Sequence, residues 1–86
     1  MSLLYFYGTD CPHCEKMNLL VKKLEAEDFT FEWLEVYDNK ENEAMMIAYD
    51  KNQCGGVPFF FNTETNKWMC GEVGYLEARS WAIGED

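Results

Sequence analysis

Short apolar stretches alternate with mixed, charged stretches along this chain, and the period of the pattern changes in a definite order. Leu3-Leu4-Tyr5-Phe6-Tyr7 is apolar and aromatic throughout, the pattern of a strand buried on both faces. Gly8-Thr9-Asp10 reads as a turn in which Thr9 or Asp10 caps a helix, with Pro12 in the first turn, where a missing N–H costs little. Met17, Leu20, Val21 and Leu24 then recur at helical spacing, and Glu15, Lys16, Lys22, Lys23 and Glu25 take the other positions. Residues 29–37, rich in aromatic and β-branched side chains, read as a second strand. Asp38 with Glu41 fits a capping box for a short helix through Ala44, Met45, Ile47 and Ala48, which Gly55-Gly56 ends. Residues 57–61 and 67–70 read as two strands joined by a polar turn, hence a hairpin. Beyond Gly71, residues 72–83 read as a last helix with Val73, Leu76 and Ile83 on one stripe. The order β-α-β-α-β-β-α predicts an α/β fold, a mixed four-stranded sheet with helices on its faces, formed by two right-handed crossovers and a closing hairpin.

Composition narrows this picture. Eighty-six residues without repeat, linker or low-complexity tract make one domain spanning 1–86. Apolar residues at 48% and aromatics at 16% supply a core and carry no disorder signature. Phe59-Phe60-Phe61 and the five methionines are expected in that core. No apolar run reaches the length of a membrane-spanning helix. Sixteen acidic against seven basic residues give a formal charge of −9, which repels phosphate backbones and anionic lipid and disfavours nucleic acid and membrane as partners. The acidic excess reads as a solvated surface. No basic segment, apolar segment and small-residue cleavage site precede the first strand, so a cytoplasmic, reducing location is expected. A chain already stripped of such a leader would read the same.

Four cysteines in so short a chain point to redox or metal chemistry. Cys11 and Cys14 fall where the first strand passes into the first helix. Three residues apart, they sit one turn apart and within the Cα separation a disulfide needs. Cys11 lies at the positive end of the helix, where free N–H groups favour thiolate, and His13 adds positive charge or a hydrogen bond. Such surroundings bring a thiol from about 8.5 to somewhere in roughly 3.5–7.5. Cys14, one turn inside the helix, is expected to be more buried and to act as the resolving thiol.

Two motifs, Cys11-Pro12-His13-Cys14 after the first strand and Gly56-Val57-Pro58 opening the third, carry a resemblance over nearly the whole chain. The chain resembles the thioredoxin superfamily at its minimal, glutaredoxin-like size. The resemblance implies a thiol–disulfide oxidoreductase, with Cys11 as nucleophile, Cys14 resolving, and Pro12 and His13 tuning the pair. It implies a cis Val57–Pro58 bond, and a Val57 backbone that pairs with the substrate strand beside Pro58, Gly56 and Gly71. Cys11 thiolate would attack a substrate disulfide, and Cys14 would then release the reduced substrate, leaving Cys11–Cys14 oxidised; the reverse direction oxidises substrates. The implied partners are a disulfide-containing protein or small-thiol substrate, and a reductase or glutathione as electron donor. The chain is expected to be a monomer with no bound cofactor and no metal, glutathione being admitted as a co-substrate.

Gly8 stands where glutaredoxins carry Lys or Arg for a glutathione carboxylate, and Glu72 places an acid where an anionic ligand approaches. Asp10 and Glu15 add negative charge, and Lys16 and Lys51 are the nearby cations, so efficient glutathione binding is not expected. The alternative reading is a non-enzymatic binding module that holds a metal or iron–sulfur cluster, with Cys54 and Cys70 joining Cys11 and Cys14, or that docks a protein partner. Otherwise Cys54 and Cys70 are expected to be ordinary buried, unpaired residues. A third-thiol role for Cys54 and a Cys54–Cys70 disulfide are the alternatives. Asp28, at the end of the first helix, is expected to be exposed.

Overall fold

A strand without a polar position needs a neighbour on each edge and a layer on each face, and β1 (Leu3–Tyr7) has all four. In the computed structural model, which describes residues 3–84, β1 is followed by α1 (Pro12–Glu25), β2 (Phe31–Glu35), α2 (Lys40–Asp50), β3 (Phe59–Asn62), β4 (Lys67–Cys70) and α3 (Tyr75–Ile83). The strands form one sheet in the order β2-β1-β3-β4. β1 pairs parallel with β2 and antiparallel with β3, and β3 pairs antiparallel with β4, so the sheet is mixed as expected.

Alternation along the strands sorts the core into two clusters. Leu3, Tyr5 and Phe60 point to one face and pack with Met17, Val21 and Leu24 of α1 and Ala78, Trp81 and Ala82 of α3. Leu4, Phe6, Phe59 and Phe61 point to the other and pack with Val36 and with Met46 of α2. The result is three layers, α1 and α3 over one face and α2 over the other. Asn62, almost fully buried, ties the hairpin to α3. Its Oδ1 accepts from Glu64 N–H at 2.9 Å and Thr65 N–H at 3.3 Å, while its Nδ2 donates to the Trp81 carbonyl at 3.1 Å. Among the described residues no helix is long and apolar enough to cross a membrane.

Several local expectations need correction. Neither Thr9 nor Asp10 caps α1; Cys11 does, with Pro12 at the first helical position. α2 is capped by Asn39, whose side chain accepts from Asn42 N–H at 3.0 Å, because the Asp38 N–H is already given to Glu35. α2 stops at Lys51, left-handed at φ 52°, before the Gly55-Gly56 pair is reached. α3 starts at Tyr75, not at Glu72, and buries Ala78, Trp81 and Ala82, leaving Leu76 and Ile83 exposed. Of the methionines, Met17, Met46 and Met69 are buried and Met45 is exposed, while Met1 lies outside the described residues. Ile47 is exposed, so α2 presents its neighbour Met46 to the core instead. Asp28 is exposed, as expected, in a left-handed turn at φ 75°.

Candidate active site

The register of the sheet gathers the chemistry at one end. β1 leaves the sheet at Tyr7, and Gly8-Thr9-Asp10 carries the chain to Cys11 at the start of α1. Phe6 pairs with Phe59, so the antiparallel β3 begins at the end where β1 finishes, with Val57-Pro58 immediately before it. Phe59 pairs with Cys70, which brings the exit of β4, Gly71 and Glu72 to the same end.

Cys11 is the N-cap of α1, with extended backbone (φ −140°, ψ 105°), and its Sγ accepts the Cys14 N–H at 3.2 Å. One of the orphan donors of the helix terminus is therefore aimed at this sulfur. Cys11 and Cys14 are joined in a disulfide across a Cα–Cα separation of 5.1 Å. Cys14 is fully buried, while Cys11 keeps a small exposed area, so Cys11 is the more accessible of the two. Beneath them, the Tyr5 hydroxyl donates to Asn18 Oδ1 at 2.6 Å and lies 3.1 Å from the Cys14 carbonyl. Burial, followed by the neighbouring Tyr7, pushes the Tyr5 phenol well above its ordinary range, so it remains a neutral donor.

His13 is exposed and its Nδ1 contacts the Glu72 carboxylate, whose other oxygen lies 3.6 Å from Lys16 Nζ. The hydrogen bond with His13 is the main cause that holds the Glu72 carboxyl below its ordinary range; burial opposes it, and the charge of Lys16 adds a lesser pull in the same direction as His13. The acid expected to face an incoming anion is thus already engaged by the His13 ring and the Lys16 ammonium. Lys51, by contrast, lines a cleft with Tyr49, Gln53 and Trp68. Gly8 has a local reason to be glycine: a Cβ there would stand inside the Tyr37 ring.

The Val57–Pro58 bond is cis, as the resemblance implied. Pro58 is buried and its carbonyl accepts from the Gly71 N–H at 2.9 Å; Gly71 has a left-handed backbone at φ 77°. Val57 and Gly56 are half-buried. Cys54 and Cys70 are not unpaired buried thiols. They form a second disulfide across 5.5 Å between Cα atoms, with Cys54 half-buried and Cys70 exposed. Sixteen residues of separation hide this pairing in the sequence. The hairpin register creates it, by setting Cys70 opposite Phe59 just beyond the loop that holds Cys54. All four sulfurs are in disulfides, and among the described residues no group of three or more His, Cys, Asp or Glu side chains is arranged to hold a metal ion.

No family model, curated protein or solved structure matches this chain. Two residues of the site carried no sequence signal. Glu35, at the end of β2, accepts N–H bonds from Thr9 at 3.2 Å and from Tyr37 and Asp38 at 2.9 Å each. It pins the turn that delivers Cys11, yet in sequence it reads as the polar face of a strand. Tyr5 reads as plain core, and only the buried carbonyl above it reveals the use of its hydroxyl.

Proposed function

We propose that this chain is a thiol–disulfide oxidoreductase of the thioredoxin fold, acting through Cys11 and Cys14. The observation that carries the reading is the Cys11 sulfur at a helix N-cap, accepting the Cys14 N–H and bonded to a fully buried Cys14. A helix N-terminus stabilises negative charge within its first turn, so the same donor favours thiolate when the pair is reduced. The cis Val57–Pro58 bond at the same end of the sheet, immediately ahead of β3 and beside the exit of β1, supports the reading further.

In the reductive direction, Cys11 thiolate attacks one sulfur of the substrate disulfide. A mixed disulfide forms and the other substrate sulfur leaves as thiolate. Cys14 loses its proton and attacks Cys11 Sγ, the second substrate sulfur departs, and the pair is left oxidised. Two electrons pass to the substrate, and an external dithiol or reductase restores the Cys11–Cys14 thiols. Tyr5, bonded to Asn18 and packed under the Cys14 carbonyl, steadies the start of α1 while the sulfurs exchange partners. The Val57 backbone offers hydrogen bonds to the substrate strand, with Gly56 and Gly71 leaving it room.

Reduction of a protein disulfide by dithiothreitol, followed with and without catalytic amounts of the protein, tests this. Wild-type protein should accelerate the reaction, Cys11→Ser should return it to the uncatalysed rate, and Cys14→Ser should accumulate a mixed disulfide visible by mass. Equal rates for wild type and Cys11→Ser would refute the assignment.

A further inference from the structure

The Cys54–Cys70 bridge joins two segments that other contacts already hold together. Cys70 is the last residue of β4, the edge strand, and faces Phe59 across the ladder. The Gly71 N–H binds the Pro58 carbonyl. On the other side the buried Asp50 carboxylate accepts from Cys54 N–H at 2.6 Å and Gly55 N–H at 2.8 Å. The ladder holds Cys70 and Asp50 holds Cys54 through contacts that do not use their sulfurs, so the local backbone has supports besides the bridge.

Its surroundings suit exchange. Disulfide chemistry requires that an attacking thiolate reach one sulfur and that the other leave. Cys70 is the exposed partner and Cys54 the half-buried one, which makes Cys70 Sγ the point of attack and Cys54 the leaving group. Cys54 Sγ lies 3.4 Å from the Gly56 carbonyl oxygen and 3.9 Å from that of Pro58, two acceptors for the S–H it carries once released. Both redox states are therefore accommodated, and the acceptors of the reduced state belong to the loop containing the cis bond.

We propose that Cys54–Cys70 is a second thiol–disulfide exchange centre, opened by a small dithiol at Cys70, and that its state sets how firmly the Val57–Pro58 loop is clamped to the end of β4; the clamp's effect on turnover rests on the function proposed above. The step balances. One dithiol thiolate attacks Cys70 Sγ, the Cys54–Cys70 bond breaks and Cys54 leaves as thiolate. The second dithiol sulfur then displaces Cys70. The dithiol becomes a cyclic disulfide, and its two electrons and two protons reside on Cys54 and Cys70.

The test equilibrates the wild-type protein in buffers of graded reduced-to-oxidised dithiothreitol ratio, quenches in acid, alkylates and digests. Mass spectrometry then reads each cysteine pair separately. Cys54–Cys70 should open as a two-electron couple while the far-UV circular dichroism stays native. The Cys54→Ser/Cys70→Ser double variant should fold and show a KM for protein disulfide raised about fivefold, the lower end of ordinary coupling between sites, with kcat and the alkylation rate of reduced Cys11 unchanged. The exchange centre is overturned if the bridge is absent from the oxidised protein, opens only as the fold is lost, or proves so necessary that the double variant does not fold. An unchanged KM overturns the clamp. The Cys11–Cys14 peptide in the same digest keeps the two readings apart, because failure of that pair to cycle condemns the proposed function and leaves the Cys54–Cys70 titration to be judged alone.

Discussion

Sulfur is an uncommon helix cap, since Ser, Thr, Asp and Asn hold that position in most helices. At Cys11 it accepts the Cys14 N–H, so the cap contact and the disulfide share one atom. At the same end of the sheet stands Glu72, whose carboxylate is shared between His13 and Lys16. While ionised, Glu72 offsets positive charge that would otherwise favour Cys11 thiolate. In a Cys14→Ser background, where Cys11 is a lone thiol at the site, Glu72→Gln is expected to move the pH midpoint of Cys11 alkylation downward. An unchanged or raised midpoint would show that the carboxylate has no electrostatic hold on the sulfur. The pairing of Cys11 with Cys14 was legible because their spacing is local. The partnership of His13 with Glu72 was not, because fifty-nine residues separate them and only the sheet register brings them together.

Two connections between elements position the pair. At the first, the Glu35 carboxylate receives the N–H groups of Thr9, Tyr37 and Asp38, linking the end of β2 to the turn ahead of Cys11. The hydrogen bond from Asp38, followed by those from Tyr37 and Thr9, holds the Glu35 carboxyl below its ordinary range against a partial opposing effect of burial. A depressed carboxyl contributes stability that is complete above its unfolded value of about 4.3 and is lost as pH falls through its folded value. Glu35→Gln should therefore lower the urea midpoint at pH 7 and flatten the loss of stability on acidification below pH about 4. Parallel acid limbs in variant and wild type would contradict this. The second connection is α3, which lies close to the sheet because it presents Ala78 and Ala82 there beside Trp81. Ala78→Leu should cost about 1–3 kcal/mol by overpacking. Leu76→Ala, at a position 77% exposed, should stay within about 0.5 kcal/mol of wild type in the same denaturation experiment. The apolar pattern alone had favoured Leu76 and Ile83. It failed because hydrophobicity scales favour large side chains, whereas a close helix-on-sheet contact selects small ones. The helices and strands themselves were legible, since each has a period of its own. Their ends were not, because Asn39 and Cys11 cap through contacts that depend on where the neighbouring N–H groups already go.

Across the molecule the two faces of the sheet are unequal, and this inequality bears on how the site works. α1 buries Cys14 and inserts Met17, Val21 and Leu24 into a cluster that α3 also covers. α2 alone covers the other face, burying only Met46 and Asp50 and leaving Met45 and Ile47 in solvent. Beside it a cleft of about 510 Å³ opens between Tyr49, Phe61 and Trp68. Few buried apolar contacts and accessible backbone hydrogen bonds are the physical marks of a segment that opens locally. Native-state hydrogen exchange should accordingly rank α2 as the least protected helix, with α1 well above it and β1, paired on both edges, slowest of all. The loop running from α2 to the cis Val57–Pro58 bond would share the low protection of α2, except where Asp50 and the Cys54–Cys70 bridge restrain it. Cys11 would then sit on the rigid layer, which keeps its cap geometry constant, while the loop holding the cis bond adjoins the layer that yields. Equal protection of α1 and α2 would remove this division and leave the loop as firmly held as Cys11 and Cys14.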